Sequence, residues 1–262
     1  MHVVTLGIDV AKQLFQLHGV DDRGQAVLSR RVRRSQLREV VRSLPFCVIG
    51  MEAYASAPHW GRVFEQCGHT VKLMSPKYVK PSVKTNKNDG RDAEAICEAV
   101  GRPTMRVVAM KTVDQADLQA VHRSRSLLIK TRTALLNQIR GLLGEYGVVM
   151  ARSPERVRPA LVGLLNDEQA GLTPFARDTF SELYDQLVEL EQRIVRVNQR
   201  LDRVFRAHPV CRKLAAVPGI GPLTATALLA AVSRPDVFQN GRHLAAWLGL
   251  VPRQCSSGGH AR

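Results

Sequence analysis

The chain has 262 residues, 45% of them hydrophobic, which is room for one large domain or two modest ones with a real core. Against 23 Asp and Glu stand 38 Lys and Arg, a formal net charge of +15. That balance favours polyanionic partners, nucleic acid first, because each cation set against a phosphate releases condensed counterions. No run approaches the roughly 18 apolar residues of a membrane-spanning helix, and MHVVTLGIDV lacks the basic start and cleavage site of a signal peptide. A cytoplasmic, nucleoid-associated protein with no membrane partner is expected. Cys47, Cys67, Cys97, Cys211 and Cys255 are odd in number and scattered, without a C-x-x-C pair, so reduced thiols are expected rather than disulfides or a zinc site.

In chain order, VVTLGIDV (3–10) reads as a buried strand that delivers Asp9 to its carboxyl end. LFQLHGV, the turn DDRGQ and AVLSRRVR then make a hairpin, so three sequential strands open the fold. SQLREVVRSL predicts a helix with Ser35 as its N-cap, and FCVIGMEA a second buried strand ending near Glu52. A helix at 57–67, the strand HTVKLMSP and an acidic cluster opening a helix at 89–98 complete an α/β region, a mixed sheet covered by helices.

From about residue 113 the pattern turns helical. Residues 118–144 hold His122, Arg123, Arg125, Lys130, Arg132 and Arg140 and no acid, with Leu118, Val121, Leu128, Leu135, Ile139 and Leu142 at helical spacing. The charge points to nucleic-acid contact; the alternative is a solvated face. Residues 147–177, with Pro154, Pro159, Gly171 and Pro174, read as a connection with short helices. Leu183, Leu187, Leu190, Ile194, Val197, Leu201 and Val204 form an a/d seam. It suits either a coiled coil with a second copy or an antiparallel hairpin against the 118–144 helix. His208-Pro209 ends it.

LAAVPGIGPLTATALLAAV (214–232) reads as helix, tight turn, helix. Gly219, Ile220 and Gly221 would leave backbone N–H groups at a helix N-terminus free to bind phosphate, as in a helix-hairpin-helix; a turn packed on protein is the alternative.

Acid is scarce, so its placement matters. Asp89 and Asp92, at i and i+3, share a helix face, while Asp9 and Glu52 arrive from neighbouring strand ends. Four converging carboxylates repel one another unless cations neutralise them, and hard oxygen ligands suit Mg²⁺ or Mn²⁺. Two such ions about 4 Å apart suit phosphodiester cleavage. Taken singly, each acid could equally serve a cap or a helix dipole.

GIDVAK (7–12), Glu52 in GMEA and N-x-x-D-x-x-D-A (86–93) resemble the RuvC-like DEDD domain of the IS110/IS1111 family of insertion-sequence transposases. P-G-I-G followed by F-x-N-G-R-x-L-A-A-W-L-G-L-V-P-R-Q and S-S-G-G is similar to the C-terminal transposase domain of the same family. The resemblance implies a ribonuclease H-like sheet with Asp9, Glu52, Asp89 and Asp92 as the acidic tetrad. It also implies a serine nucleophile, Ser257 with Ser256 as the alternative, a structured guide RNA that pairs with donor and target DNA, and dimers assembling into tetramers. A further basic helical stretch would follow S-S-G-G in the family, so a C-terminally truncated chain is expected.

The expected organisation is a RuvC-like domain over 1–110, a helical coiled-coil and dimerisation region over 111–207, and a helix-hairpin-helix transposase domain over 208–262. The expected function is metal-dependent DNA strand cleavage and rejoining. A Holliday-junction resolvase using metal-activated water, or an inactive nucleic-acid-binding fragment, are the alternatives.

Overall fold

The computed structural model describes residues 2–54, 56–79, 89–251, 256–257 and 260–261, with the side chains of Asp89 and Gly90 and of the residues after 251 left aside. The chain forms two compact units, 1–111 together with 233–262, and 112–232.

In the first unit, β1 (Thr5–Asp9), β2 (Leu14–Val20) and β3 (Ala26–Arg33) form the expected antiparallel meander. The turn between β2 and β3 is held by the Asp21 carboxylate, which accepts from the backbone N–H groups of Arg23 and Gln25. β4 (Val48–Glu52) and β5 (Thr70–Met74) run parallel to β1, and a short β6 (Val107–Val108), which the sequence pattern did not announce, closes the edge antiparallel to β5. The order is β3-β2-β1-β4-β5-β6.

Side-chain alternation splits the two faces of the sheet. Leu6, Ile8, Phe15, Leu17, Ile49 and Met51 face α1 (Leu37–Arg42) and α2 (Ala57–Gln66), where Trp60 packs edge-on against Phe15 with ring centres 5.4 Å apart. α1 begins one residue later than its pattern implied, and Ser35 is not its cap. Arg34, Ser35 and Gln36 form a tight turn off β3, in which the Gln36 N–H donates to the Arg33 carbonyl, and Gln36 caps without a side-chain bond.

Across the other face lies α4 (Asp89–Val100), whose Ala95, Ile96, Ala99 and Val100 pack with Met74 and with Val79 of α3 (Pro76–Val79). Two glycines paired in register, Gly7 on β1 and Gly50 on β4, let the helix lie this close. A Cβ on Gly7 would sit 2.2 Å from the Ala93 carbonyl oxygen and 2.5 Å from the Cys97 nitrogen; one on Gly50 would sit 2.8 Å from the Val100 Cβ.

The second unit is helical: α5 (Val113–Gly144), α6 (Pro154–Asn166), α7 (Pro174–Ala207), α8 (Pro209–Leu214) and α9 (Pro222–Ala231). α5 starts in a capping box, Thr112 and Gln115 exchanging side-chain to backbone bonds, and Gln115 Nε2 also donates to the Leu229 and Val232 carbonyls. One side chain thus ties the start of the unit to its end. α7 runs antiparallel to α5: Leu187 and Leu190 pack with Leu135, Leu136, Ile139 and Leu143, Leu201 with Leu118, and Arg125 Nε donates to Asn198 Oδ1 at 2.7 Å. The seam expected to meet a second copy is therefore occupied by α5 of the same chain, and the hairpin alternative holds. The physical reason is supply, because α5 offers a complementary apolar stripe at no cost in association entropy.

α8 ends at Leu214, earlier than its apolar pattern implied, and the chain turns through Gly219, whose φ of +85° favours glycine, into α9. α9 rests on α5, where His122 Nε2 and Thr226 Oγ1 lie 3.0 Å apart; since the Thr226 hydroxyl donates to the Pro222 carbonyl, it accepts from His122. The remaining described elements are a 3₁₀ turn at Pro235–Val237, α10 (Gly241–Trp247), and the strand pair β7 (Ser256–Ser257) and β8 (His260–Ala261). Cys47, Cys67, Cys97 and Cys211 are free thiols, as expected, with burial pushing Cys47 and Cys97 up to about 11; Cys255 lies outside the described residues. No described helix is long and apolar enough to cross a membrane.

Two outcomes follow from this packing. Gly7→Ala must displace backbone of α4 and is expected to lose about 3 kcal/mol in urea unfolding, whereas Gly50→Ala, which meets only the Val100 side chain, is expected to lose less. Burial, and then the neighbouring Arg125 charge, lower the His122 pKa below 6.5. The folded state therefore binds fewer protons than the unfolded one, so the contribution is complete above pH 6.5 and is lost as pH falls through the lowered value. Thermal melts followed by far-ultraviolet circular dichroism should fall in midpoint below pH 6.5, and His122→Gln should flatten that fall.

Candidate active site

Asp9 is the last residue of β1 and Glu52 the last of β4, one step beyond the pair Ile8 and Met51 in the parallel register. Alternation puts both on the face of Gly7 and Gly50, the face that α4 covers. α4 runs antiparallel to β1, since Cys97 Sγ reaches the Thr5 carbonyl at 3.6 Å while Gly7 faces Ala93 and Cys97. From Gly7 to Asp9 the strand rises about 6.6 Å, a distance α4 covers in about four residues towards its N-terminus. Asp9 thus comes level with the first turn of α4, where the backbone of Asp89 and the half-buried Asp92 stand. The fold brings Asp9, Glu52 and the start of α4 to one end of the sheet.

The donors are all carboxylate oxygens, which fits a hard divalent cation rather than zinc or copper. The Asp89 side chain lies outside the described residues, and among those described no group of three or more His, Cys, Asp or Glu side chains is arranged to hold a metal ion.

The register also places two residues that reading for acids missed. Asp9 pairs with Gln16 on β2, and Gln16 with Arg31 on β3, so a row of three polar side chains crosses the same face and ends in a guanidinium. Counting back from the DDRGQ turn would have set Gln16 against Arg30, because a β-bulge next to the turn, between Gly19 and Val20, shifts the register by one residue.

At the expected phosphate-binding turn, Gly221 caps α9 with no side chain over the helix end, as the sequence pattern implied. Ile220 does not offer its N–H outward, because that group donates to the Val217 carbonyl at 3.1 Å within the turn.

Besides His122, which bonds Thr226, two of the basic residues on α5 are hydrogen-bonded within the fold. Arg125 holds Asn198, and Arg140 donates to the carbonyls of Ala151 and Arg152, fastening the connection after α5. Arg132 is half-buried, with its Nε fully covered. Arg123 and Lys130 stay exposed. Ser256 and Ser257 form β7, Ser257 opposite His260; their side chains, and Gly258 and Gly259, lie outside the described residues.

Residues 6–148 match a family model of the IS110 DEDD type described as "Transposase", and residues 211–262 match one described as "Transposase IS116/IS110/IS902 family". The whole chain is 45% identical to a "Probable family 20 transposase" of Pseudomonas aeruginosa, of which it spans 78%. Over 97% of its length it is 45% identical to the "Transposase for insertion sequence element IS1111A" of Coxiella burnetii, spanning 70% of that protein. Over 98% it is 36% identical to the "Transposase for insertion sequence element IS1328" of Yersinia enterocolitica, spanning 76% of it.

Proposed function

The chain belongs to the IS110 family of insertion-sequence transposases, and from that premise we propose that it cleaves and rejoins DNA strands with a metal-assisted serine nucleophile. The observation that carries this reading is the meeting of Asp9 and Glu52, at adjacent parallel strand ends, with the first turn of α4. The strand order, with its antiparallel β1–β3 and the parallel pair β1 and β4 under α4, supports a ribonuclease H-like, RuvC-like assignment.

In this reading Asp9, Glu52, Asp89 and Asp92 hold Mg²⁺ or Mn²⁺. The bound ion supplies Lewis-acid polarisation of the phosphate oxygens and a template for the substrate. The chain's own residues do the rest. The Ser257 hydroxyl, or that of Ser256, loses its proton to a base and forms an ester with phosphorus, while the bond from that phosphorus to the departing sugar oxygen breaks and the oxygen takes up a proton. The phosphoserine link keeps the bond energy for rejoining, which hydrolysis would discard. Gly221 at the open end of α9 makes the helix-hairpin-helix contact to DNA backbone, with Gly219 shaping the turn before it and the Ile220 N–H spent inside that turn. A structured guide RNA pairs with donor and target DNA. The chain acts as a dimer that assembles into a tetramer, through surfaces other than the seam that α5 already fills.

Strand exchange on a donor and target pair supplied with the guide RNA is expected to fall below about 1% of the parent rate in Asp92→Ala and Asp9→Asn, with unfolding midpoints close to the parent's. Undiminished exchange by either would overturn the tetrad. Ser257→Ala should abolish the covalent protein–DNA adduct trapped under denaturing conditions. Cleavage with no adduct in the parent would instead favour the resolvase chemistry.

A further inference from the structure

Between α5 and α9, inside the helical unit, runs an open groove of about 570 Å³. His122, Arg123 and Lys130 line it from α5, and Ala227, Ala230 and Ala231 from α9. No acidic residue lines it, and α9 carries no charged residue at all. Unlike Arg125 and Arg140, the exposed Arg123 and Lys130 make no hydrogen bond or ion pair among the described residues. The carbonyls at the C-terminal end of α9 would repel an anion, but those of Leu229 and Val232 are taken up by Gln115 Nε2.

We propose that this groove binds the phosphodiester backbone of a nucleic-acid strand, with Arg123 and Lys130 as its phosphate ligands. The proposal rests on the reading that the chain acts on nucleic acid. The two cations are seven residues apart, two helical turns, so they stand on one face about 10.5 Å apart along the helix and can each meet a separate phosphate of one strand. The alanine wall keeps the channel open without adding polar selectivity. No aromatic side chain lines it, so bases have nothing to stack on and recognition is of the backbone, independent of sequence.

The test is equilibrium binding of the full chain to fluorescein-labelled oligonucleotides of mixed sequence, as single-stranded DNA, single-stranded RNA and duplex DNA, across a salt series. Three variants are compared with the parent: Arg123→Ala with Lys130→Ala; Ala227→Glu, which sets a carboxylate at an exposed groove position; and Arg196→Ala with Arg200→Ala, which removes the same charge from exposed positions on α7 outside the groove. Loss of both groove cations should flatten the slope of log affinity against log salt by about 1.4 for a single strand or about 1.8 for a duplex. Ala227→Glu should weaken binding as well, and the α7 pair should leave the slope near the parent's. A change confined to RNA assigns the groove to RNA, one confined to DNA assigns it to DNA, and a change in both assigns it to their shared phosphates. Equal slopes for the groove pair and the parent, or equal losses for the groove pair and the α7 pair, would overturn the proposal. A parent that binds none of the probes would instead overturn the nucleic-acid reading beneath it.

Discussion

The approach of α4 to the sheet is the constraint on which the candidate active site depends. Its backbone lies so near β1 that no side chain fits at Gly7, and the register repeats the allowance at Gly50 on the neighbouring strand. The two residues are two positions before Asp9 and Glu52, so the positions that admit the helix and those that carry the acids alternate on one face. Had either glycine been an ordinary strand residue, α4 would have been lifted from the sheet and its first turn moved away from the strand ends. The acid geometry is thus a consequence of helix–sheet packing, and rigid elements hold it.

The helical unit solves a different problem. Two helices of more than thirty residues each need somewhere to bury long apolar stripes, and α5 and α7 use each other, with α9 laid across α5. The charge distribution follows from that choice. Cations of α5 that fall near α7 or the following connection are drawn into hydrogen bonds, while those beside the apolar, uncharged α9 keep their potential. A chain of net charge +15 therefore does not spread its positive surface evenly; the packing decides which guanidinium groups are spent on the fold and which remain for a polyanion.

Alternating β-branched runs and the DDRGQ turn placed the first strands within a residue or two, because strand period and turn chemistry are local properties. Asp9 and Glu52 at strand ends, and Asp89 opening a helix, were legible for the same reason. The start of α1 was not, because the tight turn after β3 competes with a serine cap, and a window of sequence does not show which wins. β6 was missed because two residues carry no period, and its pairing with β5 is made by the chain returning from α4.

The local code by itself determined the kinds of elements, the pairing of strands through short turns, and the residue types at the acidic positions, because each depends on neighbours within a few residues. Tertiary structure alone decided that the heptad seam faces α5 rather than a second copy, that Gln16 and Arg31 join the row of Asp9, and that Arg123 and Lys130 are left without partners among the described residues. An apolar stripe states that it must be buried but not against what, and a charge states its sign but not its company. Those outcomes are fixed only when segments far apart in the chain compete for the same surface.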